Sequence, residues 1–138
     1  MVVIEDIMQF LQKYSFDNKI VTSESDIFHD FGLTGDDCGE FLYAYQKTFN
    51  VDMTNYLWYF HHDEESKWTS IGGYFFKPPS ERVSRIAITP NMLLDFANKR
   101  VWDLKYPTHK LPKYRLDSFL NLTLLILLII FIIRSCMT

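Results

Sequence analysis

With an apolar tail set aside, the 138-residue chain leaves about 115 residues, enough for one small domain with a single core and none for a second. The net charge of −3 is unevenly spread: the first 65 residues carry thirteen acids against Lys13, Lys19 and Lys47, a balance of −10, and the rest balances +7. An acidic first half argues against nucleic acid as a partner, and two cysteines, Cys38 and Cys136, placed on either side of an apolar span, argue against an intrachain disulfide.

Ile4, Ile7, Met8, Leu11 and Tyr14 recur at helical spacing and predict a first helix from about Ile4 to Tyr14, ending near Asp17-Asn18. Met1 to Asp6 holds early acids and neither a basic nor a long apolar segment, so no secretory signal is expected and the domain is expected in the cytosol. Thr22 to Asp26 reads as a linker, with Ile27-Phe28 as apolar plugs before Asp30-Phe31-Gly32. A second helix is predicted from Thr34, with Thr34 as cap and Asp37 at the third helical position, much like a capping box. Cys38, Phe41, Leu42, Tyr45 and Phe49 form its inward face.

Met53 to Phe60 fits a short third helix capped by Thr54, although its aromatics suit a strand too. Residues 64–88, with Gly72-Gly73 and Pro78-Pro79, read as a long connection with extended pieces at Tyr74-Phe75-Phe76 and from Val83 to Ile88. Thr89-Pro90 is a cap followed by a first-turn proline, and Met92, Leu93, Phe96 and Ala97 carry that helix to Lys99-Arg100. Val101-Trp102 is expected to fold back on the core. Lys105 to Arg115, with Pro107 and Pro112, reads as a basic stalk.

From Leu124 to Ile133 every residue is large and apolar, so no face of a helix there is polar. The uncharged run from Ser118 to Ile133 spans 16 residues, which at about 1.5 Å each gives roughly 24 Å against a hydrocarbon core of about 30 Å. A short membrane span follows, with Arg134 snorkelling to the headgroups and local thinning absorbing the mismatch. Lys105, Lys110, Lys113 and Arg115 precede the span and only Arg134 follows it, so the domain is expected on the cytoplasmic side. The predicted organisation is a mainly α domain over residues 1–104, a basic stalk over 105–117, a single-pass anchor over 118–134 and a short tail over 135–138. The membrane is the expected partner of residues 118–134, and the acidic first half is free to meet a basic protein.

Asp30-Phe31-Gly32-Leu33-Thr34-Gly35-Asp36-Asp37-Cys38-Gly39-Glu40-Phe41 resembles the start of helix 2 in acyl carrier proteins, and Phe49-Asn50-Val51-Asp52 matches that helix's exit. In that family a serine bears the phosphopantetheine arm, and Gly35 occupies its position here, with no hydroxyl to modify. Thr34 lies one residue early, about 100° around a helix from the attachment point. The order of Asp30 to Asp37, Phe49 to Asp52, Ile88-Thr89-Pro90-Asn91-Met92-Leu93-Leu94 and the closing Trp102 more closely resembles the small enterobacterial proteins grouped as domain-of-unknown-function family 1493, over about residues 4 to 103. That resemblance implies a small acyl-carrier-like bundle of about four helices with no assigned activity, and the apolar tail adds the expectation of a bacterial inner-membrane location.

Asp36 and Asp37 stabilise the helix dipole and repel anionic ligands, so no cofactor is expected at this helix start. Asp36, Asp37 and Glu40 are the candidate partner-binding residues, an acidic docking face kept after loss of the prosthetic group; the plainer reading is a well-capped helix start. His61-His62-Asp63-Glu64-Glu65 holds metal-capable groups, but adjacent histidines diverge on a helix and no second pair accompanies them, so no metal is expected. His29-Asp30 resembles a base with its orienting acid but lacks a nucleophile, and Cys38 reads as an inward-facing helix residue. Trp58, Trp68 and Trp102 are expected in the core or at an interface. The function expected is a non-catalytic, membrane-tethered interaction module. A working carrier modified at Thr34 or another hydroxyl, and an immunity-type or regulatory membrane protein, are the alternatives.

Overall fold

A computed structural model describes residues 1–14, 21–64 and 70–137. Six α-helices lie among the described residues: α1 (Ile4–Gln12), α2 (Ile27–Phe31), α3 (Gly35–Phe49), α4 (Ile71–Phe75), α5 (Pro90–Lys99) and α6 (Leu116–Met137). No strand occurs among them, only an isolated parallel bridge between Asp52 and Val101. The mainly helical class therefore holds.

α1 starts where Asp6 reaches back to accept from the Val3 N–H at 3.0 Å, and its last turn tightens, with Tyr14 N donating to Leu11 O. The α-helix proper stops at Gln12, two residues short of the predicted end. The exit toward Asp17-Asn18 lies outside the described residues. Asn98 of α5 pairs with both backbone groups of Val2, at 3.0 Å each, and sews the N-terminus onto α5, against which α1 packs.

The Ile27-Phe28 plugs belong to a helix of their own. Asp26 caps α2 by accepting from His29 N, and Gly32, at φ +67°, closes it in the left-handed conformation that glycine adopts at no steric cost. Ile27, Phe28 and Phe31 all point into the core. α3 then runs through the middle of the domain with Cys38, Phe41 and Tyr45 buried and Leu42 and Phe49 half-buried, as its apolar spacing predicts. Phe41 meets the rings of Phe10, Tyr14 and Phe28, and the Tyr45 hydroxyl donates to Leu93 O at 2.6 Å, tying α3 to α5.

Two predicted elements differ. Met53 to Phe60 forms neither an α-helix nor a strand: the Thr54 N–H and hydroxyl both donate to Asp52 Oδ1, which closes a tight turn in place of a helix cap, and only a 3-10 turn forms at Trp58–Phe60. Tyr74 and Phe75 are helical, not extended, because Ser70 Oγ accepts from Gly73 N and starts α4. Thr89 caps α5 as predicted, accepting from Met92 N, with Pro90 in the first turn. Trp102 folds back and is fully buried, held by Asp52 N donating to Arg100 O and Trp102 N donating to Asp52 O.

Candidate functional site

α3 divides its residues sharply. Opposite the buried Cys38, Phe41 and Tyr45, the side chains of Asp36, Asp37, Glu40, Tyr43 and Lys47 are exposed. Asp36, Glu40, Tyr43 and Lys47 follow the i, i+4, i+7, i+11 spacing that sets residues in one line along a helix. Tyr43 is 63% exposed, with Lys47 Nζ over its ring at 5.4 Å. The three acids predicted as a docking face thus share an outer surface that also carries an aromatic side chain, and Tyr43 was not singled out from the sequence. Its signal was its position, two residues after Phe41 and two before Tyr45, on the face those two leave outside.

The start of α3 differs in chemistry from the sequence reading. Thr34 has the extended backbone of a cap residue, yet its side chain makes no capping bond; Asp37 N is met by the Thr34 carbonyl instead. Gly35 lies at φ +49° and its N–H points at Asp63 O, 3.4 Å away. That conformation favours glycine and disfavours serine at this position.

His61 and Cys38 are committed to the fold. His61 is fully buried; its Nδ1 meets Ile86 O at 2.9 Å and its Nε2 meets the Tyr106 hydroxyl at 2.8 Å. A carbonyl only accepts, so Nδ1 carries the proton and Nε2 accepts from Tyr106. The Tyr106 oxygen in turn accepts from Trp102 Nε1 at 2.9 Å and Leu57 N at 3.2 Å. Burial lowers the His61 pKa to about 4. His62 stacks over Tyr56, and Glu64 is paired with Arg115, so the His61 to Glu64 stretch converges on no common point, and no group of three metal-capable side chains lies among the described residues. Burial pushes the Cys38 thiol up to about 12, where it is a poor nucleophile. His29 is exposed beside Asp30, whose other oxygen accepts from Asp26 N. Trp102 is in the core, Trp58 is half-buried, and Trp68 lies outside the described residues.

A second constellation, not foreseen from the sequence, joins the domain to α6. Arg115 donates through both terminal nitrogens to the two oxygens of Glu64, at 2.8 Å each, and through Nε to Asp117 at 3.0 Å. Asp117 is buried. Beside it α4 crosses α6 so closely that a Cβ on Gly72 would lie 1.9 Å from the Asp117 carbonyl oxygen. The Asn121 amide fastens the crossing: its oxygen accepts from Gly72 N at 2.7 Å and its nitrogen donates to Ser70 Oγ at 2.8 Å. The stretch read as a stalk is packed as well, through Tyr106 and through His109, whose Nε2 lies 2.7 Å from the Tyr59 hydroxyl.

α6 is long and apolar enough to cross a membrane: within Leu116–Cys136 an 18-residue stretch has a mean hydropathy of 2.6, and only 6% of that stretch is buried. Cys136 near its end is exposed, and both cysteines are free. The model of a family of proteins of unknown function, DUF1493, matches residues 2–104, and the chain belongs to that family. No curated protein and no solved structure matches the chain.

Proposed function

We propose that the chain is a non-catalytic interaction module, an acyl-carrier-like helical domain held at the cytoplasmic face of a bacterial inner membrane by α6, that docks a basic protein through Asp36, Asp37 and Glu40. The observation that carries this reading is the outer face of α3, where those acids lie exposed with Tyr43 over a helix whose opposite side is fully packed. Such a face can shed water and counter-ions on meeting a basic surface without unpacking the core. Gly35 supports the non-catalytic part, since its left-handed backbone suits a turn and not an attachment serine. The lysines before α6, against Arg134 alone in its last turn, support the cytoplasmic placement.

The test is charge reversal, Asp36→Lys, Asp37→Lys and Glu40→Lys together, with partners trapped by crosslinking in cells. Loss of the crosslinked species is expected. Unchanged crosslinking, in a variant with unchanged helix content, refutes docking through this face.

One observation favours a working carrier as the second reading: Thr34 is exposed and its side chain is unused as a cap. Intact mass after incubation with a phosphopantetheinyl transferase and coenzyme A separates the two. An unchanged mass removes the carrier.

A further inference from the structure

We infer that α4 is a second membrane contact, inserting Ile71, Tyr74 and Phe75 at the headgroup–acyl boundary beside the point where α6 begins to cross. This rests on reading α6 as a membrane span.

The depth of α4 is fixed by its seat. Gly72 lies against the Asp117 carbonyl and Asn121, so α4 runs beside the residues at which the uncharged stretch of α6 begins. No side chain larger than hydrogen fits at the crossing, and this explains a glycine inside a helix that it otherwise weakens. With Gly72 turned to α6, the residues α4 presents outward are apolar: Ile71 is 57% exposed, Tyr74 87% and Phe75 66%. Phe119, 69% exposed, lies between Asp117 and Asn121 in sequence, at the same level of α6.

The bilayer is the occupant that this band fits. It continues directly into the apolar surface of α6, so any membrane that covers Leu122 onward meets α4 at its edge. Aromatic side chains with one polar tip suit that boundary, and Tyr74 is such a residue. The uncharged run of α6 covers roughly 24 Å of a hydrocarbon core of about 30 Å, so a bilayer thinned to fit it brings the headgroups down to the base of α6. A cleft of about 120 Å³ next to α4, lined in part by Phe76 and Leu116, also includes the paired Arg115 and Asp117 and, beyond that pair, Lys77 and Arg82, cations of the sign that anionic headgroups attract.

The full chain carrying Cys136→Ser, in which the remaining thiol, Cys38, is fully buried, is labelled with an environment-sensitive fluorophore at Phe75→Cys, Leu128→Cys or Thr48→Cys in turn. Each is reconstituted in vesicles of phosphatidylethanolamine and phosphatidylglycerol containing lipids brominated at shallow or deep acyl positions. Quenching by the shallow lipids at position 75, by the deep lipids at 128 and by neither at 48 is the expected pattern. A probe at 75 as water-exposed as the one at 48, with 128 still deep, overturns the α4 contact and leaves the span intact. A water-exposed probe at 128 removes the span and the contact with it. Gly72→Leu, which forces α4 off α6, should abolish quenching at 75 and keep it at 128; quenching at 75 that survives this change overturns the role given to the α4–α6 crossing.

Discussion

Around α3, large side chains are withdrawn from water and polar groups among them are paired internally, with the Tyr56 hydroxyl beside Trp102 as the exception. Phe41, Tyr45 and Trp102 are fully buried, with the Tyr45 hydroxyl on Leu93 O and the Trp102 indole on Tyr106. Where α4 meets α6 the arrangement is inverted. Polar groups make the contact, through Asn121, Ser70 and the Arg115 pairs, while Ile71, Tyr74 and Phe75 face outward. The core is stable by removing apolar surface from water, about 25 cal/mol per Å². The junction gains little that way in water, and its apolar surface is left for another phase to cover. On the proposed membrane reading, the core is complete without the bilayer and the junction is completed only by it.

The largest effect expected comes from deleting an aromatic ring of the core. Phe41→Ala should cost about 3–5 kcal/mol, because it removes a fully buried ring and leaves a cavity among Phe10, Tyr14 and Phe28. Phe75→Ala, an equal deletion at the junction, should change the unfolding free energy in detergent by less than about 0.5 kcal/mol. Denaturant titration of both variants checks the contrast, and equal losses would erase it.

The next effect is on pH. His61 has its pKa held near 4 in the fold against 6.5 in the unfolded chain, so the unfolded state binds the extra proton between those values. The stability due to neutral His61 is fully present above pH 6.5 and is lost as pH falls toward 4, by about 3 kcal/mol in all. Protonation also puts a hydrogen on Nε2, where the Tyr106 hydroxyl needs an acceptor. His61→Phe should be less stable at pH 7 and show a flatter profile between pH 6.5 and 4. A wild-type domain as stable at pH 4.5 as at pH 7 would contradict the buried neutral imidazole.

What the sequence made legible follows the same division. Periodic apolar residues in Ile4 to Leu11, Cys38 to Phe49 and Met92 to Ala97 mark α1, α3 and α5, because burial of one stripe is the force that forms them. The run from Leu122 to Ile133 marks α6 for the opposite reason, having no polar face. Tyr74-Phe75-Phe76 reads as extended because two preceding glycines and adjacent aromatics give no helical period, and what makes Tyr74 and Phe75 helical is the Ser70 cap and, at Gly72, a partner 49 residues away. Local pattern cannot report that contact. Thr54 misled in the other direction, since Asp52 two residues earlier takes both of its donors. At the candidate docking face the acids are legible by their charge, and Tyr43 only by its place between Phe41 and Tyr45, because an aromatic residue by itself reads as core.

A smaller effect is expected from Arg115→Ala, which leaves Glu64 and the buried Asp117 without their cation. Arg115 itself is about a third exposed, so water screens part of the loss, and about 1–2 kcal/mol is expected. The loss should be local. Hydrogen exchange should accelerate in α4 and the first turns of α6 while α3 and α5 keep their protection. Uniform acceleration would mean that the junction and the core unfold as one unit.

The smallest effect tests whether α4 is fastened to α6 by the Asn121 amide at all. Ser70→Ala removes the cap of α4 and the acceptor for Asn121, and should cost about 1 kcal/mol. Asn121→Leu removes the bonds to Gly72 N and Ser70 Oγ and should cost a similar amount. The two share one hydrogen bond, so the double variant should lose less than the sum, with a coupling of about 0.5 kcal/mol or more. Local opening of α4, read by exchange of the Phe76 amide, which donates to Gly72 O and keeps that bond in every variant, gives all three free energies in the full chain. Additive losses would mean that Ser70 acts only as a helix cap, leaving the close crossing at Gly72 and the Asn121–Gly72 bond to hold α4 against the base of α6.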